Sequence, residues 1–307
     1  METEPELSII VLSWNTRDLL EKCLRALQST LRSFSYEVIV IDNASSDGSA
    51  DFVARMFPEV RLHRNDSNLG YAIGVNQGLA RSRGRYLCLL GSDTEVQDGA
   101  LAGLVQFLKD HPQVGAVAPP LFSFDGTRQR ACMRFPSMLT VLTWDTPVMH
   151  FFPNNRELKR YQMKDWDHVG TRAVDQPPGT CFLLRRSVYE SVGPMDERLW
   201  LFFNDVDWCR RMARAEIPIW YVDGPGVFHH EGGSTRHFAA FAIEWHRNRI
   251  AYYRKHFGVL GSLLTKSVMS YVAVRQCFRM LKDLPAGREW LGQCRQILGF
   301  AWRLLHS

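Results

Sequence analysis

Four segments of the chain carry residue types and spacings that could do chemistry. Asp93 directly follows an apolar run, in LLGSDTEV. A carboxylate there can hold a divalent cation through one or two oxygens, with phosphates and waters completing the shell. Its competing use is to cap the helix that follows. Asp42 ends another apolar run, in VIVIDNASSDGS. It could accept a hydrogen bond from a base or a ribose, and it could equally cap a turn. Phe202-Phe203-Asn204-Asp205-Val206-Asp207-Trp208 sets two carboxylates two residues apart after an aromatic run. At a helix start they point in different directions. Asp205 can then face a pocket as a general base while its neighbour caps, although the macrodipole favours acids there without any catalysis. Finally, His229, His230, Glu231 and His237 lie in HHEGGSTRH. The spacing is not HExxH. A neutral His229 could add a ligand to a cation already held by Asp93, and structural or surface histidines are the alternative. Gly232-Gly233-Ser234 would let a backbone come close to a phosphate.

These segments need elements to hold them. Leu7–Leu12 is a short continuous apolar run, as in a buried parallel strand. Residues 16–29 place Leu19, Leu20, Cys23, Leu24 and Leu27 on one helical face. Strands are expected at 37–41, 60–63, 86–90 and 114–118, and helices at 51–57, 70–82 and 99–109. This rhythm predicts an open parallel α/β sheet, which binds ligands at the carboxyl ends of its strands. Polar punctuation falls at those ends: Ser13-Trp14-Asn15, Asp42 to Gly48, and Gly91-Ser92-Asp93. From 119 to 178 the pattern breaks into aromatics and turn residues, and an irregular inserted region or lid is expected. A strand is expected at 179–184, a helix at 205–215, a strand at 219–222 and a helix at 239–257. Trp290–Leu305 reads as an amphipathic helix.

Composition narrows the function classes. The 307 residues are 46% hydrophobic and 22% charged, ordinary values for a globular chain. The seven cysteines are odd in number and scattered, so neither a disulfide framework nor a zinc knuckle is expected. METEPELS has no basic or apolar leader region, so a cytoplasmic setting is the expectation. The net charge of +5 is uneven: residues 241–307 hold 11 Lys/Arg against 3 Asp/Glu, and the remainder 26 against 29. A basic tail with no recognition motif argues against a nucleic-acid binder. No uncharged apolar run is long enough to span a bilayer. GxGxxG after the first strand, a P-loop and a GxSxG elbow are all missing.

Taken in order, SIIVLSWNT, VIVIDNASSDGS, NDSNLGYAIGVNQG, LLGSDTEV, GTCFLLRR and FFNDVDWCRR resemble family 2 glycosyltransferases of the GT-A fold. Within that family the set is most similar to the rhamnosyltransferase-type branch that builds bacterial surface polysaccharides. The resemblance runs from about Leu7 to Gly258. It implies an α/β domain over 1–258, with a Rossmann-like, mostly parallel sheet and an acceptor-side or lid region at 119–178. A basic helical tail at 259–307 follows. It also implies inverting transfer of a sugar from a nucleotide-diphosphate donor, with dTDP-rhamnose the best guess, to a glycan or lipid-linked saccharide.

By the same resemblance, Ser13, Asn15, Asp42, Arg64, Asn68, Gly70, Asn76 and Ser92 line the donor site. Asp93 and His229 match metal positions for Mg²⁺ or Mn²⁺, and Asp205 matches the catalytic base. Gly179, Trp200 and Asn204 fall on the acceptor side. Two departures matter. Gly91 stands where the family has Asp or Asn, and Asn204 replaces the usual Glu before Asp205. They leave open an inactive member that only binds nucleotide-sugar or glycan. A histidine-based metal hydrolase is the third class. Gln-x-x-Arg-Trp is not found, so one sugar per acceptor is expected. The basic tail suits peripheral contact with the inner face of the membrane, and equally packing on the catalytic domain or on a second copy in a homodimer.

Overall fold

A computed structural model describes residues 4–31, 35–230 and 238–283. The first half alternates strands and helices: β1 (Leu7–Ser13), α1 (Arg17–Thr30), β2 (Tyr36–Asp42), α2 (Ser49–Met56), β3 (Arg61–Arg64), α3 (Tyr71–Arg81) and β4 (Tyr86–Gly91). There follow β5 (Thr94–Val96), α4 (Ala100–Asp110), β6 (Ala116–Ala118) and β7 (Leu121–Phe122). Next come α5 (Met138–Thr143), α6 (Pro147–Phe151), α7 (Arg156–Tyr161), β8 (Arg172–Ala173), β9 (Cys181–Arg185) and α8 (Arg186–Val192). The last elements are α9 (Asn204–Arg214), β10 (Ile219–Tyr221), β11 (Val227–His229) and α10 (Phe238–Asp283).

Among the described residues an eight-stranded sheet runs β3-β2-β1-β4-β9-β6-β10-β8. β1 is buried along almost its whole length because helices cover both faces, which is why LSIIVLS is a continuous apolar run. α1 buries Leu20, Cys23, Leu24 and Leu27, the i, i+3, i+4, i+7 stripe its sequence shows. Truncating a fully buried residue such as Leu24 costs about 2–5 kcal/mol. The sheet is mostly parallel, with one consequential exception: β9 runs antiparallel to both β4 and β6. Its start therefore lies at the edge where β1, β2, β3 and β4 end. A second sheet, β5-β11-β7, pairs His229 with Thr94.

The chain divides into two compact units. The first comprises 1–135, 166–200 and 204–236 and contains both sheets. The second comprises 136–165, 201–203 and 237–307. The irregular stretch 119–178 is thus split. Residues 119–135 and 166–178 belong to the first unit, and α5, α6 and α7 to the second. Short capped helices account for its weak periodicity: Ser137, Thr146 and Asn155 each accept backbone N–H groups at a helix start. In the second unit α10 is interrupted at Gly258, whose φ of 69° and ψ of −160° are open to glycine. Arg249 is buried there. It donates to the Trp144 carbonyl at 3.1 Å and lies 3.6 Å from Asp145.

Cys23, Cys88, Cys132, Cys181 and Cys209 are free and buried. Among the described residues no helix is long and apolar enough to cross a membrane. Trp290–Leu305, Glu231, His237 and Gly232-Gly233-Ser234 lie outside the described residues.

Candidate active site at the carboxyl edge of the sheet

Parallel pairing aligns three strand ends. Ser13 sits opposite Asp42, and Asp42 opposite Arg64. Asp42 is buried. Its Oδ2 accepts the Ser45 amide at 2.9 Å, while Oδ1 is buried without a protein donor. A buried carboxylate oxygen in that state is costly unless a ligand supplies the donor. The loop after it is held in unusual backbone, with Ala44 at φ 59°. Asn15, itself at φ 54°, grips that loop: its Oδ1 accepts the Ser46 amide at 2.8 Å, and its own amide donates to Ser45 Oγ at 2.9 Å. Left-handed backbone at non-glycine residues costs about 1–3 kcal/mol each and concentrates at functional loops. Ser13, Thr16 and Ser92 form a buried hydroxyl chain with 3.0 Å steps, which ties the ends of β1 and β4 together.

A second group surrounds the start of α3. The Asn43 amide donates to the Gly70 carbonyl at 3.0 Å and to Asn68 Oδ1 at 3.2 Å. Asn68 Oδ1 also accepts the Gly70 amide at 2.9 Å. The Tyr71 amide donates to the Trp200 carbonyl at 2.7 Å. Gly70 has φ 85°, and a Cβ on it would lie 2.4 Å from the Trp200 indole. Only glycine lets that ring close over the turn.

Asp205 is the second residue of α9 and is partly buried. Its Oδ1 accepts the Val206 amide at 2.8 Å and its Oδ2 the Gly179 amide at 3.2 Å. Burial raises its pKa above the ordinary aspartate value, with those two amides opposing the shift. Asn204 caps from within: its Oδ1 accepts the Asp205 amide at 2.8 Å and its side-chain amide donates to the Leu199 carbonyl at 3.3 Å. The carbonyl of Thr180, next after Gly179 and just ahead of β9, accepts the Gly91 amide at 2.8 Å. Two consecutive residues, Gly179 and Thr180, thus link Asp205 to the end of β4. Tyr71 spans the same gap. Its hydroxyl donates to the Gly179 carbonyl at 3.3 Å, and burial together with the charges of Asp205 and Asp93 raises its pKa.

Asp93 is buried, and its Oδ1 lies 3.9 Å from His229 Nε2. Gln129 decides what that nitrogen presents. Its amide NH₂ donates to the His229 carbonyl at 3.2 Å, which can only accept, so its Oε1 must take the proton of His229 Nδ1 at 3.0 Å. In the neutral ring the Nε2 lone pair then faces the carboxylate. Two acceptors 3.9 Å apart make no hydrogen bond. The gap is shorter than two metal–ligand bonds of about 2.0–2.2 Å laid end to end, so the pair fits a divalent cation. It offers two ligands, and among the described residues no cluster of three or more His, Cys, Asp or Glu is present. Phosphate and water oxygens would have to complete the shell. Gly91 explains itself here: a Cβ on it would lie 2.8 Å from Asp93 Oδ1, so the glycine gives that carboxylate its room.

Two expected donor-site residues are engaged elsewhere. Arg64 is exposed and pairs with Asp51 at 2.6 Å. Asn76 is buried, and its side chain accepts the Met195 amide at 2.9 Å and donates to Met195 and Glu197. Sequence reasoning missed Asn43, Tyr71 and Gln129. Asn43 was visible as the polar residue directly after β2, and Tyr71 as the first residue past a glycine cap. Nothing local singled out Gln129.

Comparison with known proteins agrees with this geometry. Residues 8–193 match the family described as Glycosyl transferase family 2. The chain is 28% identical over 302 residues to the N-acetylglucosaminyl-diphospho-decaprenol L-rhamnosyltransferase of Mycobacterium tuberculosis, covering 92% of this chain and 95% of that protein. It is 25% identical over 234 residues to the O-antigen biosynthesis protein RfbC of Myxococcus xanthus, covering 76% of this chain and 18% of that protein. Among solved structures, the mannosyltransferase PcManGT from Pyrobaculum calidifontis, in complex with GDP-Man and Mn²⁺, superposes with a TM-score of 0.54. That match has 16% identity and covers 99% of this chain and 87% of that one, a likeness of fold. The chain belongs to glycosyl transferase family 2 and carries the GT-A fold.

Proposed function

We propose that this glycosyltransferase moves rhamnose from dTDP-rhamnose to a lipid-linked saccharide, with inversion, during assembly of a bacterial surface polysaccharide. The observation that carries the reading is the pairing, at one sheet edge, of a buried acceptor lacking a protein donor, Asp42 Oδ1, with an enclosed carboxylate, Asp205. The first suits a nucleoside and the second a base. The choice of rhamnose and of a lipid-linked acceptor is supported by similarity along nearly the whole of the mycobacterial enzyme. We place the work in the cytoplasm, peripheral to the inner face of the membrane, where such an acceptor would be met.

In this mechanism the Asp42 carboxylate accepts a hydrogen bond from the nucleoside, and the Asn15 loop shapes the wall beside it. Asp205 takes the proton of the acceptor hydroxyl as that oxygen attacks the anomeric carbon. Its raised pKa makes it a better base than an exposed carboxylate, and general-base catalysis as a whole contributes about 10²–10⁴-fold in rate. The Gly179 amide keeps Oδ2 aimed. Tyr71 and Trp200 exclude water from the acceptor side. Asp93 and His229 would hold Mg²⁺ or Mn²⁺, which would supply charge neutralisation for the departing diphosphate.

The test is transfer by the purified chain, with dTDP-rhamnose, UDP-N-acetylglucosamine and GDP-mannose offered in turn. Each is given with a polyprenyl-diphosphate saccharide, in Mn²⁺, Mg²⁺ or chelator. Acceptor-dependent product from dTDP-rhamnose, lost in chelator, is expected. Product from another donor alone would replace the sugar assignment, and full activity in chelator would remove the metal.

A further inference from the structure

The second unit carries an apolar surface that its own fold leaves uncovered. Past Gly258, α10 buries Gly261, Ser262, Thr265 and Met269 on one side. The opposite side is also apolar: Val259 is 67% exposed, Leu260 75% and Tyr271 61%. Leu260, Leu263, Ser267 and Tyr271 recur at helical spacing, so they form one outward stripe. A soluble helix keeps its polar residues there. On α6 and just after it, Phe151 is 60% exposed and Phe152 65%. Val148, Phe151, Phe152 and Pro153 wall a cavity of about 630 Å³.

The two patches are one surface. Arg275, four residues past Tyr271, places its guanidinium 6.0 Å from the centre of the Phe151 ring. The unit is basic: residues 136–165 and 237–283 hold twelve Lys/Arg against five Asp/Glu. Between Glu244 and Asp283 the chain has eight Lys/Arg and no Asp or Glu. Three of the acids are engaged within the unit. Asp145 takes the Trp245 indole N–H at 3.1 Å and Arg249 at 3.6 Å, Glu157 takes Ser137 and Arg160, and Glu244 takes Arg247 at 2.9 Å. Large exposed aromatic and aliphatic side chains on a unit of net positive charge are what an anionic bilayer recognises, by apolar insertion and by headgroup charge together.

We propose that the second unit docks on an anionic lipid surface through Phe151, Phe152, Leu260, Leu263 and Tyr271, with Arg275 meeting the headgroups. The proposal deepens the peripheral-membrane reading above and rests on it for its biological use. Vesicle binding is read without donor or acceptor, so the two can fail separately.

The experiment is co-sedimentation of the full chain with phosphatidylcholine vesicles, with and without phosphatidylglycerol. Wild type is expected to bind the mixed vesicles at least about tenfold better, and to lose that binding in high salt. A Phe151→Ser/Phe152→Ser/Leu260→Ser variant should bind at least about tenfold more weakly with an unchanged melting temperature, because all three side chains are solvent-exposed. Arg275→Glu keeps the apolar set and should lose the preference for anionic lipid. Equal binding by wild type and the triple variant overturns the proposal. So does a concentration-dependent dimer that the triple variant dissociates while neither form binds vesicles, which would make the face a contact between two copies.

Discussion

The Gly179 amide nitrogen lies 3.2 Å from Asp205 Oδ2, and a Cβ on Gly179 would lie 3.3 Å from the Cβ of Asp205. The segment leading into β9 and the first turn of α9 therefore meet backbone against carboxylate, with no room for a side chain between them. Gly179→Val should push Asp205 away and cut turnover by about 10²-fold, the loss a displacement near 1 Å can cause. Nucleotide affinity should stay near wild type, because the Asp42 loop is untouched. Turnover of Gly179→Val within a factor of two of wild type would contradict this.

Asp205→Asn should abolish measurable transfer while nucleotide binding persists. Burial raises the folded-state pKa of Asp205, so ionising it opposes folding as pH rises through that value. The variant should therefore melt at the same temperature as wild type or higher at neutral pH. For the wild type, kcat/KM should fall on the acid side with an apparent pKa above the usual aspartate range. A lower melting point for Asp205→Asn, measured by calorimetry, would speak against an enclosed carboxylate.

Gln129→Leu removes the partner of His229 Nδ1. Loss of such an outer support usually lowers metal affinity by about 10–100-fold. Titration calorimetry of Mn²⁺ in the presence of dTDP should show that loss. Imidazole ¹⁵N shifts should show a mixture of tautomers where wild type has one. Unchanged affinity together with an unchanged tautomer would leave Gln129 a purely structural residue.

Gly70→Ala meets both the Trp200 ring and a φ of 85°. Denaturant unfolding should show a loss of at least about 1–3 kcal/mol from the backbone conformation alone. Quenching or a shift of tryptophan emission should accompany it as the indole is displaced. A neutral substitution would mean that Trp200 moves freely.

Glu157 is held well below its usual range, at about 2, first by Arg160 and then by the Thr140 and Ser137 hydroxyls. Its stabilisation is present above the unfolded value near 4.5 and is lost as pH falls toward about 2. At neutral pH, Glu157→Gln should cost up to about 3 kcal/mol by unfolding in denaturant. The gap between variant and wild type should narrow below pH 4.5 and close only below about pH 2. A gap independent of pH would assign the effect to packing.

The strand-and-helix order of residues 7–118 was legible because each element carries its own period. β1 and β4 are continuous apolar runs, and α1 shows an uninterrupted stripe. The antiparallel sense of β9 was not legible, since CFLLR reads the same in either direction. That sense is what carries Gly179 to Asp205. The three-residue strands β5 and β11 were too short for any pattern, and their pairing brings His229 to Asp93. The polar strand ends pointed to Ser13, Asn15, Asp42, Ser92 and Asp93, because Ser, Asn and Asp have few reasons to cluster at one edge. Arg64 and Asn76 have the same chemistry, and only their partners, Asp51 and the 195–197 segment, reveal where their hydrogen bonds go. Gln129 had no signal, because its importance lies wholly in which atom of His229 it contacts.

The central claim is inverting transfer driven by Asp205, and the configuration of the product tests it most directly. Single-turnover reactions of wild type and Asp205→Asn with dTDP-rhamnose and a lipid-linked acceptor would be followed by NMR at the anomeric carbon. The account predicts a new glycosidic bond of configuration opposite to the donor's with wild type, and none with Asp205→Asn. A product that retains the donor's configuration, or equal product from both proteins, would contradict it.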